Sequence, residues 1–110
     1  MAHSNVRSGE VVGVSVKNHD LKDLGEVAEI VIDKDTGKVT YLVLDFGGFM
    51  SFGNKFFAIP WNAFTYNLDE DCFILNIDKE RLKNSPGFDK DHWPEFSPEY
   101  VQSISNFYGW

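Results

Sequence analysis

The sequence predicts an all-β domain, a small antiparallel barrel or sandwich, followed by a short helical tail. Three observations carry that expectation. Five or six short runs rich in β-branched and aromatic residues fall between residues 11 and 77. Turn-forming residues separate those runs at regular spacing, Gly25, Gly37 and Pro60 among them. Beyond residue 78 the alternating pattern stops and helix-start signals replace it.

Residues 1–8 are mostly small and polar and are expected to be disordered. The β domain is expected over residues 9–78, and residues 79–110 form a C-terminal extension with short helices packed on it. VVGVSV (11–16) puts Val12, Val14 and Val16 on one face of a strand. NHDLKDLG (18–25) is polar, and its Gly25 suits a turn. In EVAEIVID (26–33), Ala28, Ile30 and Ile32 share one face, and Val27, Glu29 and Val31 share the other. DKDTGK (33–38) is a tight connection with Gly37 placed for positive φ, so VTYLVLDF (39–46) completes a β-hairpin.

FFAIPW (56–61) is short, and Pro60 cannot donate to a ladder, which favours a strand end or an edge. AFTYNL (63–68) and CFILNI (72–77) read as strands joined by Asp69-Glu70-Asp71, with Phe73, Leu75 and Ile77 on one face. DKERLKN (78–84) suits one or two helical turns capped by Asp78. After a loop carrying Phe88, Trp93 and Phe96, Ser97-Pro98-Glu99 opens a helix with Tyr100, Ile104, Phe107 and Tyr108 on one face.

Charge and composition narrow the function classes. The chain has 110 residues, 43% of them apolar, enough for one domain with a core. Ten Lys and Arg stand against seventeen Asp and Glu, a net charge of −7 that repels phosphate backbones, so no nucleic-acid partner is expected. The single cysteine, Cys72, forbids an intramolecular disulfide and fits a reducing, cytoplasmic location. MAHSNVRSGE lacks the apolar segment of a signal peptide. The apolar runs fall far short of the roughly 20 residues that cross a bilayer, so no membrane insertion is expected.

Groups that carry chemistry are few. Asp33-Lys34-Asp35-Thr36-Gly37 resembles the start of a calcium loop, but its twelfth position is Leu44 rather than Glu, so a turn with carboxylates on backbone amides is the better reading. His3, His19 and His92 stand far apart in the sequence. Asp45 ends an apolar strand just before Gly47-Gly48 and suits a backbone-bonding role. Cys72 has no basic neighbour in the sequence to activate it. Gly47, Gly48 and Gly53 lack phosphate-loop spacing and suit bends or bulges at a barrel corner. No catalytic residue, cofactor or metal is expected.

The stretch LVLDFGGFMSFGNKFFAIPW (42–61) combines glycines with an excess of aromatic side chains. Phe46 and one of the adjacent Phe56 and Phe57 belong to the core, because neighbours on a strand face opposite ways. Phe49, Met50 and Phe52 lie in a glycine-rich loop and need cover, either from the C-terminal tail with Trp93 and Trp110 or from a second copy of the chain.

Leu24-Gly25-Glu26-Val27, Asp33 with Thr36-Gly37-Lys38-Val39, Tyr41-Leu42-Val43, Phe46-Gly47-Gly48-Phe49, Gly53 and Ile59-Pro60-Trp61 occur here in an order and spacing that resemble the PRC-barrel family. That family takes its name from the β-barrel of the photosynthetic reaction centre H subunit. Leu82 and Pro86-Gly87-Phe88 resemble the extension of its stand-alone members. The resemblance implies a six-stranded, partly open antiparallel barrel, no catalytic residues, and an adaptor role; its members sit beside membrane complexes and in ribosome maturation, and neither of those roles carries over directly to this chain. It also implies a homodimer.

A non-enzymatic protein-interaction module is therefore expected, homodimeric or bound to another protein or complex. Phe49, Met50, Phe52, Phe56 and Trp61 are its candidate anchors. The alternative is a barrel that binds a small ligand or divalent metal near Asp33, Asp35 and Asp45.

Overall fold

The computed structural model describes residues 5–46, 55–89 and 91–109. Its strands are β1 (Ser15–Lys17), β2 (Asp23–Ile32), β3 (Val39–Asp45), β4 (Phe56–Pro60), β5 (Phe64–Asn67) and β6 (Cys72–Leu75). Two helices follow, α1 (Lys79–Lys83) and α2 (Pro98–Tyr108). The strands form one six-stranded sheet in the order β4-β3-β2-β1-β6-β5.

That order curls the sheet. β4 and β5 are its two edges, yet only the 3-10 turn Trp61–Ala63 separates them in sequence. Joining the edges by so short a link brings them together at one corner, which makes a half-barrel rather than a flat sheet. Among the described residues no ladder joins β4 to β5, so the barrel is partly open.

The expected antiparallel arrangement holds for every pairing but one. β1 and β6 run parallel, Val16 opposite Phe73. β5 continues past the corner in the sense of β4, and β6 then returns alongside β1 in the same direction as β1. Parallel neighbours need a long connection, and β2 to β5 supply it.

Two expectations for individual strands are corrected. VVGVSV is not one strand. Residues 8–10 form a 3-10 turn, Gly13 takes φ +89 and donates to the Val27 carbonyl at 2.7 Å, and the regular ladder with β2 begins only at Ser15. Val11 and Val16 are buried, while Val12 is exposed. In β2 the register slips between Val27 and Glu29, leaving Ala28 as a bulge. A bulge shifts the two-residue alternation by one. Val27 and Ile30 therefore both face the core instead of lying on opposite faces.

Gly25, expected in a turn, is instead a position inside β2 with φ +130. A Cβ there would sit 1.9 Å from the Asp45 carbonyl oxygen. Only glycine lets the β2 and β3 backbones approach so closely. Gly37 has φ +76 in the β2–β3 turn, where its N–H donates to the Asp33 carbonyl at 2.7 Å.

β3 is buried on both faces. Leu42 and Leu44 point into the core with Phe57 and Ile59 of β4, and Tyr41 and Val43 on the outer face are buried as well. The C-terminal segment supplies outer cover, with the Phe96 ring 5.5 Å from Tyr41. α2 starts as its sequence predicts: the Ser97 hydroxyl accepts the Tyr100 N–H at 3.2 Å and Pro98 opens the first turn. Ile104 and Tyr108 join Leu82 in the core. The buried Ser85 hydroxyl accepts from the Tyr108 phenol at 2.7 Å and donates to the Leu82 carbonyl at 2.6 Å, so the α1–α2 junction buries its polar atoms in pairs.

Candidate interaction surface

The polar candidates are held by local backbone. The Asp33 carboxylate accepts from the Asp35 N–H at 2.9 Å and the Thr36 N–H at 3.3 Å, the bonding of an Asx turn. Among the described residues no group of three or more His, Cys, Asp or Glu side chains is gathered as a metal would require. Cys72 is buried. His19 and His92 sit on separate exposed turns, and His3 lies outside the described residues. His92 Nδ1 is 2.7 Å from an Asp89 oxygen. Hydrogen bonding to that carboxylate raises the His92 pKa and lowers that of Asp89. The pair is charged only between those two titrations. Its contribution fades as pH rises through the His92 value and as pH falls through the Asp89 value.

The aromatic candidates separate into distinct environments. Phe57 is fully buried against Phe46, edge to face at 5.7 Å. Phe56 points outward and is met by Phe88 at 5.9 Å and Trp93 at 5.7 Å. Phe56 and Phe88 also exchange backbone bonds of 2.8 and 2.9 Å, which staples the C-terminal loop to β4. Gly87 permits that contact, since a Cβ would lie 2.7 Å from the Phe56 carbonyl oxygen. Of this trio Trp93 is the exposed member, at 37%.

Trp61 belongs to a second cluster, around Phe73. Trp61, Phe64 and Tyr66 set their rings 6.0, 5.8 and 5.2 Å from Phe73, all near edge-to-face. Phe73 is buried, whereas Trp61 and Tyr66 remain 36% and 40% exposed. The core therefore fixes these rings by one edge and presents the other to solvent. The Tyr66 hydroxyl donates to the Asp71 carboxylate. Phe56 and Trp61, both candidate anchors, are thus held in different clusters at the two ends of β4. Phe49, Met50, Phe52, Gly47, Gly48 and Gly53 lie outside the described residues. Pro60 ends β4, an edge strand.

The grouping around Phe73 escaped the sequence reading. Pairing of Phe64 with Leu75 and of Tyr66 with Phe73 puts these rings on one face, and the period of β5 contained that signal. Trp61 joins them through the corner turn, which no local pattern announces.

α2 carries Tyr100 and Tyr108, β3 carries Tyr41, and burial pushes all three phenols up. Tyr100 reaches about 12, with Tyr41 and Tyr108 adding like-charge repulsion.

A curled six-stranded sheet closed at one corner, with aromatic rings at that corner and a helical extension, defines a small β-barrel domain protein. The chain belongs to the PRC-barrel domain family, whose model matches residues 4–82. Among solved structures it is similar to RimM of Pseudomonas aeruginosa, assigned as a 16S ribosomal RNA processing protein. That similarity is 11% in identity with a TM-score of 0.49, over 71% of this chain and 47% of the other. The chain thus spans about half of that protein's length. No curated protein matches it. No helix among the described residues is long and apolar enough to cross a membrane.

Proposed function

We propose that this PRC-barrel chain is a non-enzymatic interaction module, a cytoplasmic adaptor that pairs with a second copy of itself through its aromatic surface. The observation that supports this reading most is Trp61. Its ring is fixed against Phe73 at 6.0 Å yet stays 36% exposed. Ordering such a ring on binding costs little, because the core has already ordered it. Rigid, half-exposed Trp residues are the type that dominates protein interfaces. Phe49, Met50 and Phe52 are assigned to the interaction surface on sequence grounds, and Phe56, in the separate cluster with Trp93, is a further candidate anchor.

Light scattering on a sizing column tests the proposal. The chain is expected at twice its 12.6 kDa. The variants W61S and F49S/F52S are expected to shift toward one chain's mass with the β-sheet circular dichroism unchanged. A monomeric parent chain, or variants whose mass does not move, overturns it.

A further inference from the structure

The two edges of the sheet are treated differently. Along β4, Phe56 is bonded in both directions to Phe88, and Pro60 ends the strand without a donor. Such devices stop one sheet edge from pairing with another. β5 has none of them. Phe64-Thr65-Tyr66-Asn67 contains no proline and no charge, its register with β6 has no bulge, and no described residue pairs along its outer side. Alternate residues of an antiparallel edge strand turn their N–H and C=O groups outward.

An open depression lies over the sheet face of β5 and β6, running inward from this edge toward the end of β1. Thr65, Leu68 and Ile74 line it, with His19, Tyr66 and Asp69 as its titratable members. Leu68 is 71% exposed. The turn that follows β5 carries Asp69, Glu70 and Asp71. Asp71 accepts the Tyr66 hydroxyl, whereas Asp69 and Glu70 have no ion-pair partner among the described residues. Neither Lys nor Arg lines the depression. The edge thus offers backbone bonds, apolar contact and unneutralised negative charge together.

We propose that the β5 edge receives an extended, basic segment of another protein as an added strand, its apolar side chains on Leu68 and its Lys or Arg side chains at Asp69 and Glu70. Strand addition draws affinity from main-chain bonds and selectivity from side-chain contacts. A second copy of this chain is a poorer occupant, since at −7 it brings like charge to an acidic turn. The inference rests on the reading of the chain as an interaction module and gives it a second surface, which adjoins the Trp61 cluster at Tyr66.

Fluorescence anisotropy on the full chain tests this with three labelled probes: a peptide of alternating Lys and Val, its Glu/Val counterpart, and the Lys/Val peptide N-methylated at alternate amides. The Lys/Val peptide is expected to bind saturably with a Kd below about 1 mM. The Glu/Val peptide should not bind, and N-methylation should weaken binding roughly tenfold because it removes strand bonds. The double variant D69K/E70K should also weaken it roughly tenfold. Its fold is expected to survive, because the turn uses only the Glu70 backbone N–H, held by the Asn67 side chain at 3.1 Å. Failure to saturate overturns the proposal, as does indifference to N-methylation or to D69K/E70K. If that happens while the Trp61-dependent mass persists, only the edge site falls. If both measurements fail, the interaction-module reading falls with it.

Discussion

Gly25 shows how far a single residue's role can lie from its neighbours in sequence. Its constraint is the Asp45 carbonyl on the adjacent strand, 1.9 Å from where a Cβ would be. Backbone cannot yield as a flexible side chain can, and φ +130 adds strain for any other residue. The substitution G25A is therefore expected to cost roughly 3 kcal/mol, read as a lowered midpoint in urea denaturation. A loss below about 1 kcal/mol would mean that β2 and β3 separate easily there. Gly37 was legible in the sequence because its constraint is local, set by the Asp33 turn it closes. Gly25 was not, because nothing in residues 18–33 announces a carbonyl from residue 45.

Elements were legible where their signals are contained within them. Ser97-Pro98-Glu99 specifies the start of α2, and the 3.6-residue period selects Tyr100, Ile104 and Tyr108 as the face that packs. Phe107 was expected on that face too, but it stays exposed, with the Arg81 guanidinium 5.9 Å from its ring. The strand in residues 11–16 failed as an expectation because Gly13 takes positive φ and interrupts the alternation despite the strand preference of its valines. The β2 bulge failed similarly: alternation reads faces correctly only while the ladder is regular. For α2 the packing makes a firm prediction. Ile104 is buried beside Leu82 and Tyr108, so I104A should cost about 2–4 kcal/mol in the same denaturation assay. Near-neutral behaviour would show that the extension does not contribute to the core.

Over the whole molecule, strand number and partial closure were accessible to the sequence and the family resemblance, but strand order was not. Which edge β6 joins depends on the Trp61–Ala63 corner, and a three-residue link carries no statement of direction. The aromatic surface was half legible: the excess of rings was plain, their division between Phe56 and Phe73 was not. The three raised tyrosines give the folded molecule an alkaline limit. A phenol with a raised folded pKa stabilises fully below its ordinary value of 10 and loses that contribution as pH climbs through the folded value. Stability should thus fall between pH 10 and about 12. Y100F should flatten that decline while leaving the neutral-pH midpoint within about 1 kcal/mol. A pH slope unchanged by Y100F would count against the burial of that phenol.

The parallel contact of Val16 with Phe73 also governs the order of events as the molecule forms. The β2–β3 hairpin closes over a few residues and can assemble at once, but β1 stays unflanked on one side until Cys72–Leu75 has been made and brought round. Loops that long must be closed before any bond rewards the closure, and chains rich in such contacts fold slowly. On a growing chain the barrel remains unfinished for most of its own synthesis, and the last strand delivered completes the wall that the first began.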